Sequence, residues 1–253
     1  MINGNQIAIL LLNYIMTRSR EMGTLKGNEF IVKTIVTSEL IKTIADKNSI
    51  KCYDCYTGFK WIASVIRELE GKERYIGGGE ESYGFLVEDF VRDKDAVSAI
   101  PMMAEAAAWA KENGKSVYEM LQDIYVKYGF SKEKGISVVR KGKSGAEEIE
   151  AMMKNFRANP ITEIAGSKVI LIKDYATLKG TDVLAGETYT LDMPTTANVI
   201  QYFTEDGTKV SIRPSGTEPK IKFYVEVRGT LSSPAEYEAV NAQAEEKIKA
   251  VAA

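Results

Sequence analysis

The sequence predicts a three-layer α/β domain, with a mixed sheet between helices on both faces, followed by a small α+β domain with a four-stranded antiparallel sheet and helices. Two observations support this fold class. Strand-like and helix-like segments alternate in the first half, which is typical of helices packed against a sheet. In the second half, strand-like segments joined by short turns stand between two helices, which is typical of an α+β domain. We place the domains at residues 1–135 and 136–253, because residues 130–145 are rich in Lys, Gly and Ser and are predicted to connect them.

The first domain is predicted to begin with a buried helix over residues 5–20, since this segment is apolar over most of its length. The segments after it show either the two-residue alternation of a strand or the apolar spacing of one helix face. Ser38 stands where it can cap the second helix. In chain order these elements are a strand at 30–37, a helix after Ser38, a strand at 49–56, a helix at 59–69, a short strand at 74–76, and helices at 96–112 and 117–128.

The second domain is predicted from four alternating segments and two flanking helices. Residues 205–208, with the sequence EDGT, are typical of a tight turn between neighbouring antiparallel strands. In chain order the elements are a helix at 146–157, strands at 168–173, 199–203, 208–212 and 221–227, and a terminal helix from Pro234.

The composition is that of a globular protein, with 45% hydrophobic and 27% charged residues. Lys and Arg number 33 against 35 for Asp and Glu, so no overall basic field attracts nucleic acid or an anionic membrane. No apolar run is long enough to span a membrane, and the N-terminus lacks the layout of a signal peptide. We therefore expect a cytoplasmic protein that binds neither nucleic acid nor membranes.

Cys52 and Cys55 form a lone C-x-x-C sequence in a chain without histidine. A zinc site would need two further ligands, which Asp or Glu could only partly replace. In a strand-like segment, residues three apart point to opposite faces, which argues against a disulfide between these two. We interpret them as ordinary cysteines and predict no metal site.

A basic segment with a central glycine, RPSGTEPK at residues 213–220, stands between the last two predicted strands. Its guanidinium, its hydroxyls and the backbone N–H groups around glycine can converge on a dianionic phosphate. Lys222 is expected to help, because in an alternating strand it lies on the same face as Lys220. The alternative is a polar hairpin turn, since Pro, Ser and Gly mark turns without any ligand.

A second segment, GGGEESYG at residues 77–84, follows the short strand at 74–76. Consecutive glycines allow the backbone to approach another group closely. A carboxylate and a serine at a strand end can exchange hydrogen bonds with the vicinal hydroxyls of a hexose. The alternative is a solvated acidic turn.

Four segments together resemble the alpha-D-phosphohexomutase family, the phosphoglucomutases and phosphomannomutases: TGFKWI from Thr57, GGGEESYG from Gly77, RDKDA from Arg92 and RPSGTEPKIKFYVEV from Arg213. Their order and spacing match the third and fourth domains of that family over nearly the whole chain. The resemblance implies sugar recognition by the first domain and phosphate binding by a TBP-like second domain. The residues that it implies are Lys94 as the catalytic group near the reacting oxygen, Gly58, Phe59, Lys60, Glu80 and Ser82 for the sugar, and Arg213, Ser215, Gly216, Thr217 and Lys222 for the phosphate.

The resemblance also implies a reaction and its cofactors. The family interconverts hexose 1-phosphate and 6-phosphate through an enzyme phosphoserine and a bisphosphorylated sugar, as isomerases that act by intramolecular phosphotransfer. Complete members carry a Ser-His-Asn-Pro loop and an Asp-x-Asp-x-Asp magnesium loop, and this sequence has neither. We therefore expect the C-terminal half of such an enzyme, with Mg²⁺ and hexose 1,6-bisphosphate as cofactors of the full-length parent and none bound by this chain. The expected partners are a hexose phosphate and the missing N-terminal domains, and the chain alone is expected to be inactive.

Glucose and mannose both stay open as the hexose, because they differ only at the second carbon. A stand-alone phosphosugar-binding module without catalysis is an alternative function. A nucleic-acid binder is disfavoured by the net charge of −2 and by the absence of a basic strand face studded with aromatic residues.

Overall fold

The structure is a computed structural model that describes residues 2–140, 142–216 and 218–253. It divides the chain into two compact units, one formed by Met1–Phe130 with Thr230–Tyr237 and the other by Ser131–Gly229 with Glu238–Ala253. None of the helices in the described ranges is long and apolar enough to cross a membrane.

The first unit alternates strands and helices, as the sequence predicts. Its strands are β1 (Glu29–Thr34), β2 (Lys51–Cys55), β3 (Arg74–Gly79) and β4 (Phe85–Val87). Its helices are α1 (Gly4–Glu21), α2 (Glu39–Lys47), α3 (Phe59–Leu69), α4 (Ala96–Glu112) and α5 (Val117–Tyr128). The sheet order is β2-β1-β3-β4, in which β1 pairs in parallel with β2 and β3, and β4 runs antiparallel to β3. This is the mixed sheet that the sequence predicts.

Helices cover both faces of this sheet, and all six residues of β1 are therefore buried. On one face, Phe30 and Val32 of β1 pack with Ile62 and Ile66 of α3. On the other face α1 lies so close to β3 that a Cβ at Gly77 would be 3.1 Å from a methyl carbon of Leu12. These contacts make the three layers of the predicted α/β domain.

Side chains at the helix ends explain where these helices begin. The Asn3 side chain accepts a hydrogen bond from the Gln6 backbone N–H while the Gln6 side chain accepts from that of Asn3, which closes a capping box at the start of α1. Ser38 caps α2 as predicted, and Asp95 caps α4 by accepting from two backbone N–H groups. Such caps satisfy the N–H groups that have no partner inside the helix.

The second unit contains an antiparallel sheet with helices, but the sheet is larger than the four strands predicted. Its strands are β5 (Phe130–Val139), β6 (Glu163–Ile164), β7 (Ser167–Asp174), β8 (Lys179–Asp182), β9 (Glu187–Thr190), β10 (Ile200–Thr204), β11 (Lys209–Pro214) and β12 (Lys220–Gly229). Its helices are α6 (Gly142–Ala158) and α7 (Tyr237–Ala252). The 3₁₀ turn at Pro234–Glu236, which precedes α7 in the chain, belongs to the first unit. The sheet order is β5-β12-β11-β10-β7-β8-β9, and β6 pairs with β7.

Two parts of this sheet differ from the prediction. Residues 130–139, predicted to be part of a connecting segment, form β5 at one edge of the sheet. This strand is exposed over much of its length, so it needs few apolar residues and its sequence looks like that of a linker. The short hairpin of β8 and β9 at the other edge is polar and exposed for the same reason.

Candidate functional site

A short loop between β3 and β4, here called the acidic loop (residues 80–84), follows the carboxyl end of β3. The Glu80 backbone N–H donates to the Gly84 carbonyl at 2.8 Å, which closes the loop. Tyr83 adopts a φ of +74°, in the left-handed region that is uncommon for residues other than glycine. The loop therefore holds its carboxylates and Ser82 in a tight, defined turn.

The Glu80 carboxylate joins two segments that are predicted to bind the sugar. Its Oε1 accepts a hydrogen bond of 2.7 Å from the backbone N–H of Gly58, the residue that precedes α3. Gly58 has no side chain that could cap α3 and has a φ of 109°, so the Glu80 carboxylate supplies the cap from another loop. A negative charge is also favoured at this end of the helix.

Three predicted site residues meet around Gly84. A Cβ added at Gly84 would lie 3.1 Å from a ring carbon of Phe59, 3.2 Å from Oε2 of Glu80 and 3.3 Å from Cδ of Lys94. Only glycine leaves these three side chains undisturbed. The structure thus brings Phe59, Glu80 and Lys94 to one place, although they are far apart in sequence.

A pocket of about 500 Å³ lies beside the acidic loop and is lined by Ser82, Gly84 and Lys94 together with apolar side chains of α1 and α4. The Lys94 Nζ is 3.2 Å from Oδ1 of Asp93, and this hydrogen bond lowers the pKa of the Asp93 carboxyl. Both side chains are exposed, so the ion pair is weak and leaves the ammonium available to a ligand.

Phe59 and Lys60, the first two residues of α3, occupy different environments. Phe59 is buried in the core between α3 and the sheet, and its ring lies near Gly84. Lys60 is exposed, and its Nζ lies 5.1 Å from the centre of the Trp61 ring.

Sequence reasoning did not identify the support beneath the acidic loop. Thr34 and Thr37 share a hydrogen bond of 2.8 Å between their hydroxyls, and Oε2 of Glu81 lies 3.5 Å from each hydroxyl oxygen. Both threonines are fully buried. Two hydroxyl residues at the carboxyl end of a predicted buried strand are the sequence signal that could have indicated them.

In the second unit, strands β11 and β12 form a hairpin that contains the basic segment at residues 213–220. We call this hairpin the basic hairpin. Arg213 of β11 and Lys222 of β12 are directly paired across the two strands, so their side chains lie on the same face. Within the described ranges neither side chain has a hydrogen bond or an ion pair. Two like charges placed opposite each other destabilise the hairpin unless an anion lies between them.

Several hydrogen bonds hold the basic hairpin closed. The Ser215 N–H donates to the Lys220 carbonyl at 2.8 Å, and the Ser215 hydroxyl accepts from the Glu218 N–H at 3.3 Å. The Arg140 N–H donates to the Pro219 carbonyl at 2.9 Å and so fixes the loop to the end of β5.

The two lysines of β12 differ in their partners. Lys220 forms an ion pair of 2.5 Å with Glu218, which lowers the pKa of that carboxyl. Lys222 is therefore the lysine that faces Arg213 without an ion-pair partner in the described residues.

The loop of the basic hairpin contains two further residues that are predicted to bind phosphate. A Cβ at Gly216 would meet no atom within 4 Å, so the backbone there is open to a ligand. Thr217, which is also predicted to bind phosphate, lies outside the described residues.

Among the described residues, no group of three or more Cys, Asp or Glu side chains could hold a metal ion. The two glutamates of the acidic loop already have partners: one oxygen of Glu80 accepts from a backbone N–H, and Glu81 lies within reach of the two threonine hydroxyls. The residues present do not fit a Mg²⁺ site, and we derive no step that passes through a metal.

Both cysteines are free thiols in the first unit. Burial raises the pKa of Cys52 to about 12, and burial also raises the pKa of Cys55, which is part of the core. These thiols are protonated at neutral pH and poorly nucleophilic.

Comparisons with known proteins agree with the motifs. The family model described as "Phosphoglucomutase/phosphomannomutase, alpha/beta/alpha domain III" matches residues 3–128. The model described as "Phosphoglucomutase/phosphomannomutase, C-terminal domain" matches residues 136–249. Phosphoglucomutase of Staphylococcus aureus (strain N315) is 41% identical over 233 residues, which is 89% of this chain and 40% of that protein. Phosphoglucomutase of Staphylococcus epidermidis is 41% identical over 223 residues, covering 88% of this chain and 40% of that protein.

Solved structures are similar in fold. The open form of pp63/parafusin, a phosphoglucomutase from Paramecium, superposes with a TM-score of 0.59 at 15% identity, covering 100% of this chain and 43% of its own. A putative phosphomannomutase from Thermus thermophilus gives a TM-score of 0.56 at 18% identity, covering 98% of this chain and 41% of its own. The chain thus spans about two-fifths of the length of the proteins it matches.

Proposed function

The chain belongs to the phosphoglucomutase/phosphomannomutase family, as its four motifs predict, and from this premise we propose that it carries the sugar- and phosphate-recognising part of a phosphohexomutase. The full protein would interconvert hexose 1-phosphate and hexose 6-phosphate in the cytoplasm. Residues 1–135 would recognise the sugar, and residues 136–253 would bind the phosphate that is not being transferred.

The observation that carries the proposal is the pairing of Arg213 with Lys222. A phosphate dianion between the guanidinium and the ammonium would convert their repulsion into two charge-assisted hydrogen bonds. Arginine presents a planar fork of donors that suits phosphate oxygens, and lysine adds a second positive charge. The Ser215 hydroxyl and the open backbone at Gly216 supply neutral donors beside them, and Thr217 is proposed to add another hydroxyl.

Sugar recognition is assigned to the acidic loop. One oxygen of the Glu80 carboxylate is held by the Gly58 N–H, which fixes the direction of the other. That second oxygen and the Ser82 hydroxyl can accept hydrogen bonds from neighbouring hexose hydroxyls, and Ser82 can also donate one. Gly58 and Phe59 support this loop through the Glu80 hydrogen bond and the contact at Gly84. Lys60, which is exposed on the first turn of α3, is proposed to contact the sugar.

Lys94 is proposed as the catalytic group of this chain. Its side chain lies near Gly84 and lines the same pocket as Ser82, which puts it beside the loop that we propose binds the sugar. An ammonium beside the oxygen that gains or loses the phosphoryl group stabilises the charge that develops there. When the phosphoryl group leaves this oxygen, the ammonium can donate a proton to it, and the resulting amine can then accept the proton of the hydroxyl that is phosphorylated next.

The phosphoryl transfers themselves need a donor and a cation that spreads the charge of the moving group. We assign the phosphoserine and the Mg²⁺ site to the N-terminal part of the full protein, with hexose 1,6-bisphosphate as the activating intermediate. This chain contributes positioning, because it recognises the two ends of the substrate with separate groups. Separate recognition suits a sugar that must bind in two orientations.

Calorimetric titration of the 253-residue chain tests the proposal. Inorganic phosphate should bind, since its proposed ligands all lie in one hairpin. Glucose 1-phosphate should bind more tightly than phosphate, and glucose alone most weakly. Binding should weaken as salt is raised, because the recognition is ionic. Absence of binding by both phosphate compounds at low salt would contradict the proposal.

A further inference from the structure

A second pocket of the first unit lies apart from the acidic loop, between the middle of α1, the end of α4 and the length of α5. Its volume is about 290 Å³, near the lower end of the range for small-molecule sites. None of the residues assigned to sugar or phosphate recognition lines it.

Asn13 is the reason to regard this pocket as a site. It stands in the most apolar part of α1, its side chain lines the pocket, and only 9% of its surface is exposed. Among the described residues, its carboxamide has no hydrogen-bond partner, although it offers two donors and an acceptor. Within the described ranges, the Asn13 carboxamide is not among the fully buried side-chain atoms that lack a hydrogen-bond partner, so it is not sealed off but opens into the pocket. There it can form hydrogen bonds only with water or with a ligand.

Thr17 lies one turn after Asn13 on the same face of α1 and also lines the pocket. Its hydroxyl has no hydrogen bond to any residue in the described ranges. A helix that is otherwise packed with apolar side chains therefore directs two uncommitted polar groups into one cavity.

The walls of the pocket are fixed before any ligand arrives. Trp109 is held by an edge contact with Tyr14, with ring centres 5.6 Å apart. The Asn113 side chain donates to the Trp109 carbonyl at 2.8 Å, and the Tyr128 hydroxyl accepts from Asn48 at 3.1 Å. Two aromatic rings therefore border the cavity, with aliphatic side chains such as Ile124 beside them.

The charged residues at this pocket neutralise one another or pack on a ring. Lys115 forms an ion pair with Asp123, and the Lys127 Nζ lies 4.9 Å from the centre of the Tyr128 ring. The cavity thus offers aromatic surface, one carboxamide and one hydroxyl. A pyranose would bring about five hydroxyls, more than the uncommitted groups could satisfy.

We propose that this pocket binds a planar heterocycle of one or two rings that presents a hydrogen-bond donor next to an acceptor. The Asn13 carboxamide pairs with that edge, as asparagine does when it reads the edge of a base. Thr17 bonds a further polar atom, and Trp109 and Tyr128 pack against the ring. The site is independent of the phosphate-binding hairpin and gives the protein a second, non-substrate ligand.

Tryptophan fluorescence provides the test. The chain has two tryptophans, so Trp61→Phe leaves Trp109 as the only one. Titration of this variant with uracil and with nicotinamide should give saturable quenching by at least one of them, and glucose should give none. In the same background, Asn13→Leu should weaken binding about tenfold or more, because a pair of buried hydrogen bonds is lost.

Two further variants separate ligand binding from folding. Thr17→Val should also weaken binding. Because valine has nearly the same shape as threonine, this variant tests the site even if Asn13→Leu does not fold. Asn159→Leu makes the same chemical change on an exposed residue of the second unit and should leave the quenching unchanged. The proposal would be overturned if neither heterocycle gave saturable quenching. It would also be overturned if the folded Asn13→Leu and Thr17→Val variants bound the heterocycle as tightly as the Trp61→Phe chain does, and water would then be the occupant.

Discussion

Arg213 and Lys222 lie directly opposite each other on β11 and β12, and no acidic side chain forms an ion pair with either of them within the described ranges. The next lysine of the same strand, Lys220, is held by Glu218. The hairpin therefore keeps one lysine occupied and leaves one cation pair for an external anion. This difference makes the phosphate-binding hypothesis testable with substitutions only two residues apart.

Arg213→Ala should weaken binding of inorganic phosphate by about tenfold to a hundredfold, the effect of losing a charge-assisted hydrogen bond. Lys222→Ala should weaken it as well. Lys220→Ala is the matched control and should have a smaller effect, because that ammonium is already paired. Calorimetry at low salt measures all three. Equal affinity of Arg213→Ala and the unsubstituted chain would mean that the hairpin is only a turn.

Glu80→Ala should leave binding of inorganic phosphate unchanged and weaken binding of glucose 1-phosphate about fivefold to tenfold, because hydrogen bonds to the sugar are lost. The same substitution removes the group that caps α3 at Gly58. Glu80→Gln is therefore the better probe, since its amide oxygen can still accept from that N–H. A Glu80→Gln variant that loses phosphate affinity and sugar affinity equally would contradict the division of roles.

Gly84→Ala should disturb the acidic loop, which is proposed to bind the sugar, and leave the basic hairpin unchanged. The new methyl group would press on Phe59, Glu80 and Lys94 at 3.1 to 3.3 Å, distances at which these neighbours must move. We expect a loss of about 1–3 kcal/mol in the free energy of unfolding and weaker binding of glucose 1-phosphate. Gly135→Ala is the control, because a Cβ there meets no atom within 4 Å. Unchanged stability and sugar affinity in Gly84→Ala would show that the three side chains are not held there.

The sequence predicted the layout of the first unit well, because its buried segments are strongly periodic. The apolar run at residues 5–20 became α1 (Gly4–Glu21), and Ser38 caps α2 as expected. Prediction failed at the edges of the second sheet, where β5 and the β8–β9 hairpin are exposed and need no apolar pattern. Local patterns carry little information about elements that bury little surface.

The candidate site was predictable only in part. Residue types alone predicted phosphate binding by the segment of Arg213 and sugar binding by the segment of Glu80. Strand alternation predicted that Lys222 lies on the same face as Lys220. The sequence could not show that Glu218 occupies Lys220 or that Glu80 bonds the Gly58 N–H, since both depend on how the loops close. The role of Gly84 follows only from three side chains that converge from different elements.

We predict that the 253-residue chain alone does not convert glucose 1-phosphate to glucose 6-phosphate, with or without Mg²⁺ and glucose 1,6-bisphosphate. Its sequence has no Ser-His-Asn-Pro loop and no run of alternating aspartates. Positioning groups without a phosphoryl donor give no turnover. A coupled assay measures this directly, with Arg213→Ala as the control for contaminating enzyme. Activity that Arg213→Ala abolishes would show that the catalytic groups lie within this chain.

The last prediction concerns Asp206, in the turn between β10 and β11. Its carboxylate accepts from the Thr204 hydroxyl at 2.7 Å and from the N–H and hydroxyl of Thr208 at 3.0 and 2.8 Å, and it forms an ion pair with Lys247 of α7. Burial alone would raise the pKa of this carboxyl, but these bonds outweigh burial and hold it well below the usual range. The turn is therefore tied to the terminal helix by a charged group.

Because the pKa of Asp206 is lower in the folded chain than in the unfolded chain, its ionised form stabilises the fold. This contribution is fully present above the unfolded pKa of about 4 and is lost as the pH falls through the folded value. Its side chain is 37% exposed, so solvent screening reduces the effect, and we expect Asp206→Asn to cost about 1–2 kcal/mol at pH 7. Thermal melts from pH 7 to pH 3 should show the two stability curves beginning to approach each other below about pH 4, without meeting by pH 3, because the folded pKa lies lower still. Asp192→Asn makes the same substitution at an exposed residue and is the control. A stability difference that persists unchanged down to pH 3 would mean that the charge of Asp206 does not stabilise the turn.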